Sequence, residues 1–197
     1  MATYYVRKTG DDDNADGAGA NAGNTDNPYL TIARLFSGLD GADSVPTLSD
    51  NDIVLIGPGT YSENITISKD ITLGSESGTF VGTIITAASA GKTITVDSDG
   101  DGATIQNLTV IYASTQNSSS AAAGAILPDS TSSNDMAITV RGCSIISNTT
   151  GVGYFDDGTI IDRCRFYGTG MDANVSKAKG SNYGIVAMGK THTITAC

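Results

Sequence analysis

The chain has 197 residues, with 11 basic and 21 acidic side chains and a formal net charge of −10. Gly, Ser and Thr number 24, 20 and 25, Trp is absent and His192 is the single histidine, a composition that favours strands and turns over helices. So few scattered cations argue against neutralising a nucleic-acid backbone, one histidine cannot build a His-rich zinc centre in one subunit, and no apolar run reaches the roughly 18 residues of a membrane span.

In chain order, Met1-Ala2-Thr3 runs directly into the strand-like Tyr4-Tyr5-Val6, without the basic start and apolar stretch of a secretory signal. The expectation is a protein made in a cytoplasm without general secretory export, released by lysis or within a particle. A polar, acidic loop from Gly10 to Asn27 follows. Apolar residues at 32, 35, 36 and 39 then recur at helical spacing, predicting a short amphipathic helix over 31–39 with Thr31 as N-cap. Asp52 to Ile56 reads as a buried strand that stops at Gly57-Pro58-Gly59.

From Glu63 onward short β-branched runs alternate with polar turns: Ile65-Thr66-Ile67, Ile71-Thr72-Leu73, Ile84-Ile85 and Ile94-Thr95-Val96. Three later segments align with one another, residues 105–111 (IQNLTVI), 140–146 (VRGCSII) and 161–167 (IDRCRFY), and Thr193 to Cys197 starts a fourth copy. Leu108, Cys143 and Cys164 share one column of this alignment, and Val110, Ile145 and Phe166 share another. A barrel or sandwich gives no reason for such recurrence, whereas stacked parallel rungs place one position over the same position about 4.8 Å away. The predicted fold class is all-β, a parallel β-helix of five or six rungs. Its basic rung is roughly 21 residues, and loop insertions fall near 113–135 and 171–181.

The first seventy residues resemble the N-terminal end of right-handed parallel β-helix proteins of the pectate-lyase-like superfamily. The matching pieces are Tyr4-Tyr5-Val6, Gly10 with Asp13 and Gly17, Pro28-Tyr29 with Thr31-Ile32, Asp52 to Ile56, Gly59-Thr60-Tyr61 with Glu63, and Ile65 to Leu73. The resemblance implies an N-terminal cap over 1–62, with a helix closing the end of the coil, followed by rungs over 63–197. The superfamily includes polysaccharide lyases and hydrolases as well as bacteriophage tailspikes and fibres. Together with the chain's opening, it implies a non-enzymatic virion component: a fibre, spike or capsid-decorating protein. Its expected partners are further copies, as a homotrimer, other virion proteins and host-surface polysaccharide. The alternative is a polysaccharide lyase or glycoside hydrolase.

Candidate chemistry is sparse. Asp97, Asp99 and Asp101, in the run Asp97-Ser98-Asp99-Gly100-Asp101-Gly102, match the start of a calcium loop, since alternate carboxylates in a tight turn can converge on Ca²⁺. The acidic twelfth ligand is missing, because Leu108 stands there. Asp156 and Asp157 with Asp162 are the candidates for paired-carboxylate catalysis, although Asp156-Asp157-Gly158 also reads as a plain turn. Arg141, Arg163 and Arg165 lie in rung strands, where aligned columns would make a cationic groove. Lys177, Lys179 and Tyr183 are the candidate glycan-binding residues. The three cysteines are expected to be free thiols packed as small hydrophobes.

Overall fold

The structure, a computed structural model, describes residues 1–12, 23–37, 48–112, 123–129, 136–168, 183–187 and 191–197. Strand β1 (Thr3–Val6) precedes helix α1 (Ile32–Ser37), and five three-strand rungs follow. They are β2 (Ile53–Ile56), β3 (Gly59–Ser62) and β4 (Ile65–Ile67); β5 (Thr72–Ser75), β6 (Thr83–Thr86) and β7 (Lys92–Val96); β8 (Thr104–Gln106), β9 (Thr109–Tyr112) and β10 (Gly124–Pro128); β11 (Thr139–Arg141), β12 (Ser144–Ser147) and β13 (Thr150–Phe155); and β14 (Ile160–Asp162), β15 (Arg165–Gly168) and β16 (Tyr183–Ala187). Strand β17 (Thr193–Thr195) opens a further rung.

Every named strand pairing is parallel. The first strands of the rungs, with β1 before and β17 after, form one seven-stranded sheet, and the second and third strands form two sheets of five. This is a parallel β-helix, with the rung number the repeats predict. The aligned columns are stacked as expected, Val110 pairing with Ile145 and Ile145 with Phe166.

Alternation along each strand sends one column of side chains from each sheet into the interior. The first column runs Val54, Leu73, Ile105, Val140 and Ile161, and the second runs Tyr61, Ile85, Val110, Ile145 and Phe166. Ile65, Ile94, Ile126, Val152 and Ile185 form the third. Each fully buried aliphatic side chain contributes roughly 1.5–3 kcal/mol of transfer free energy, so the core is distributed along the axis rather than gathered at one centre.

Helix α1 packs against β4 and buries Ile32 and Leu35. Its N-terminus is capped twice: Thr31 Oγ1 accepts from the Arg34 amide at 3.3 Å, and Glu63 accepts from the amides of Ile32 (3.3 Å) and Ala33 (2.6 Å). That gives Glu63 of the Gly59-Thr60-Tyr61 segment a structural task. Leu39, predicted on the helix face, lies outside the described residues.

One expected loop is corrected. Residues 124–128, read as part of the insertion 113–135, form β10, a central strand of the third sheet whose five residues are all buried. The small residues before Ile126 disguised it, because they look like a linker when the rung that covers them is not in view. Residues 113–122 and 130–135 of that insertion, and 171–181, lie outside the described residues.

Candidate functional site

Of the acidic positions singled out by sequence, Asp97, Asp99, Asp101, Asp156 and Asp157 lie where the chain passes from the third sheet back to the first. Asn51, Asp70, Gly102, Ala137, Gly158 and Thr191 each stand two residues before a first-sheet strand. They stack as a column, and three of its steps are closed by the same pair of hydrogen bonds. The Asp70 amide donates to Asp50 Oδ1 at 3.1 Å, while the Asn51 amide donates back to the Asp70 carbonyl at 2.6 Å. The Ala137 amide donates to Asp101 Oδ1 (2.8 Å) and Gly102 donates to the Ala137 carbonyl (2.9 Å). The Thr191 amide donates to Asp157 Oδ1 (2.7 Å) and Gly158 donates to the Thr191 carbonyl (2.8 Å).

The backbone explains the sequence signature. The residue after each of these aspartates has a positive φ, 69° at Asn51, 89° at Gly102 and 91° at Gly158, the region that Asn and Gly tolerate best. An Asp followed by Asn or Gly, just ahead of a strand, is therefore a rung clamp: its carboxylate holds the next rung's amide in a corner where no strand partner is available.

The remaining candidates have their own partners. Asp97 accepts from Ser68 Oγ at 2.5 Å and, as N-cap of a single 3₁₀ turn over Ser98–Gly100, from the Asp99 amide at 3.0 Å. Asp99 is exposed, with Lys69 Nζ at 4.0 Å. The three carboxylates of the predicted calcium loop thus face three different partners. A cation there would have to displace the Asp97 and Asp101 bonds, and among the described residues no group of three or more His, Cys, Asp or Glu is placed to hold a metal ion. Asp156 Oδ1 accepts from the Asp157 amide at 2.7 Å within the turn before β14. Asp162 lies at the other end of β14 and accepts from Thr195 Oγ1 at 2.7 Å and Arg163 Nε at 2.8 Å, which hold its carboxyl below the usual range.

The three arginines do not line one groove. Arg141 lies beside Asp162 on the first sheet, Arg163 occupies the corner with φ 51°, and Arg165 on the second sheet reaches over the Phe80 ring at 5.4 Å. The backbone of Tyr183 opens β16, and Lys177 and Lys179 lie outside the described residues. His192 lines a cavity of about 10 Å³ with Phe155 and Ile161, and its Nε2 is buried without a hydrogen-bond partner.

Sequence reasoning passed over two acids. Asp52, 3% exposed, accepts from the Ala2 and Ser49 amides. Burial alone would raise its pKa, but those bonds and the nearby N-terminal amine outweigh burial and hold it low. Glu76 is held low by its bidentate pair with Arg7, whose side chain lies over the Tyr5 ring. Ala2 stands 50 positions from Asp52 and Arg7 stands 69 from Glu76, so no local pattern announces these two contacts. The two depressed carboxylates give stability that is present above their unfolded pKa and is lost as pH falls through their folded values. Acid unfolding followed by circular dichroism from about pH 5 downward should therefore be less steep in Asp52→Asn and in Glu76→Gln than in the parent, with both variants less stable at neutral pH.

No family model matches the chain. Over 76 residues it is 36% identical to a cell surface glycoprotein of Methanothermus fervidus, which covers 38% of this chain and 12% of that protein. Its structure is similar to pectin methylesterase PemA from Erwinia chrysanthemi, with a TM-score of 0.51 and 18% identity. It is also similar to a pectin methylesterase in complex with a hexasaccharide, with a TM-score of 0.54 and 19% identity. Each comparison covers 84% of this chain and 49% of the esterase, so the chain spans about half the length of the solved structures it matches. The fold is a right-handed parallel β-helix, as in these solved structures.

Proposed function

We propose that the chain is a non-enzymatic, load-carrying β-helix module of a surface-displayed or particle-borne protein, which holds glycan-contacting loops away from its base. The observation that carries this reading is the corner column: Asp101 and Asp157, the best acidic candidates for calcium or catalysis, hold backbone amides of the next rung. Each of these carboxylates gives its Oδ1 to a scaffold contact, a structural task that accounts for its place in the turn without chemistry. The match to a cell surface glycoprotein over a small part of that protein's length is consistent with a module inside a larger display protein. A bacteriophage fibre, spike or capsid-decorating protein is the virion form of the same idea. Self-association into a trimer belongs to this proposal and is read directly by sedimentation.

The esterase neighbours supply the second reading, a carbohydrate-active enzyme. Incubation with methyl-esterified pectin and with polygalacturonate separates the two: the proposal expects neither methanol nor unsaturated chain ends above background. Turnover that Asp157→Ala abolishes in a protein that still folds would replace it with the enzyme reading. Excising 171–181, with Lys177 and Lys179, should leave the melting temperature within about 2 °C and reduce adsorption to surface glycan at least about tenfold. Undiminished adsorption would remove that loop from the contact surface.

A further inference from the structure

An aspartate that clamps a rung is also the electrophile of a slow backbone reaction, and the clamp governs where that reaction runs. Aspartate precedes glycine at Asp16, Asp40, Asp99, Asp101 and Asp157, and the last three lie in the described residues. In such a pair the glycine amide nitrogen attacks the aspartate Cγ. A C–N bond forms, a C–O bond breaks and water leaves with the amide proton. Water then opens the succinimide at its main-chain carbonyl, and the chain continues through the side-chain carboxyl as isoaspartate. One water is lost and one is gained, so the step needs no oxidant or co-reactant. Glycine favours it because no side chain crowds the nitrogen. Two movements must coincide: the nitrogen leaves its hydrogen bond, and the carboxyl swings onto it.

We propose that Asp99 is the isoaspartate modification site of the coil, and that the rung clamps shield Asp101 and Asp157 from the same reaction. At Asp101 both reacting groups are held by the next rung: Oδ1 accepts from the Ala137 amide at 2.8 Å, and the Gly102 nitrogen donates to the Ala137 carbonyl at 2.9 Å. Asp157 and Gly158 are held in the same way by Thr191, at 2.7 and 2.8 Å. Attack at either position therefore requires two bonds between rungs to open at once. Asp99 is held differently. Its carboxyl, 71% exposed, meets only Lys69 Nζ at 4.0 Å among the described residues. The Gly100 nitrogen donates to the Asp97 carbonyl at 3.0 Å, a bond inside the single turn over Ser98–Gly100. Opening that turn frees the nitrogen without parting two rungs, and local openings are more populated than those that separate packed elements. The product lengthens the main chain by one carbon where Gly100 lies against the Ile67 carbonyl, so the change is felt by the rung below.

The test ages the folded 197-residue chain in warm neutral buffer beside the same chain unfolded in guanidinium, and locates isoaspartate by electron-transfer fragmentation of the peptides. In the folded chain isoaspartate should accumulate at Asp99 at least about tenfold faster than at Asp101 or Asp157, because reaction follows the population of the opened form. In guanidinium the three rates should converge. Ala137→Pro deletes the amide that Asp101 holds, and should raise the rate at Asp101 while Asp157 serves as the internal control. The comparison within the parent decides the matter even where that variant does not fold. Equal rates at the three positions of the folded parent, a faster reaction at Asp101 or Asp157, or no isoaspartate at Asp99 while the unfolded chain forms it, would each overturn the assignment. So would an unchanged rate at Asp101 in folded Ala137→Pro.

Discussion

Gly100→Val is expected to lower the unfolding free energy by about 3 kcal/mol, because a side chain at 100 overpacks a backbone contact between rungs. A Cβ built there would stand 2.6 Å from the Ile67 carbonyl oxygen and 2.7 Å from Val96 Cγ1. The Ile67 carbonyl is fixed, since it accepts from the Asp97 amide at 3.0 Å, so the new side chain cannot be accommodated by a rotamer change. For a domain of this size, each kcal/mol moves the melting temperature by about 2–4 °C, giving a fall of roughly 6–12 °C in a thermal scan. The glycine in the Asp-x-Asp-Gly pattern is thereby explained by the approach of the neighbouring rung. If Gly100→Val instead left the scan unchanged, the close packing of this turn on β4 would be wrong.

The second large effect is expected from removing two clamps together. Asp101→Ala/Asp157→Ala withdraws the acceptors of the Ala137 and Thr191 amides, at the two ends of a two-rung span. Side chains that accept a single orphan amide at helix N-termini contribute about 1 kcal/mol each, and bonds to a charged acceptor about 1.5–3 kcal/mol before solvent exposure reduces them. The sites share no partner, so their effects should add to about 2–3 kcal/mol. Each single variant should lose about half. An unaltered double variant would mean that water satisfies these amides as well as the carboxylates do.

The strands were legible because a solenoid repeats its interior demand in every rung. Val110, Ile145 and Phe166 must fill the same place, and their alignment disclosed the register before any pairing was seen. Strand β10 escaped because Gly124 and Ala125 give no β-branched signal, although burial on both sides suits small residues. Asp97, Asp99, Asp101, Asp156 and Asp157 stand in turns, but the amides that Asp101 and Asp157 hold were not legible. An Asp in an Asp-Gly turn presents the same letters whether it captures a cation or the amide of the rung above, and the next rung lies 20 to 36 positions away. The pair Arg7–Glu76 and the buried Asp52 were illegible for the same reason, since both depend on strand β1 lying beside β2. The column of Leu108, Cys143 and Cys164 was visible as an alignment, but that the Cys143 and Cys164 thiols reach carbonyls of the preceding rung depends on the tight corner at Gly142 and Arg163.

The most direct test of the central claim, that the turn carboxylates are rung clamps, is the melting temperature of the parent and of Asp101→Ala/Asp157→Ala, each in calcium and in chelator. The predicted result is a parent curve indifferent to calcium and a variant that melts roughly 4–12 °C lower in both conditions. A parent stabilised by calcium, with a variant that loses this gain yet melts like the parent in chelator, would contradict the clamp and make the acidic corner a cation site.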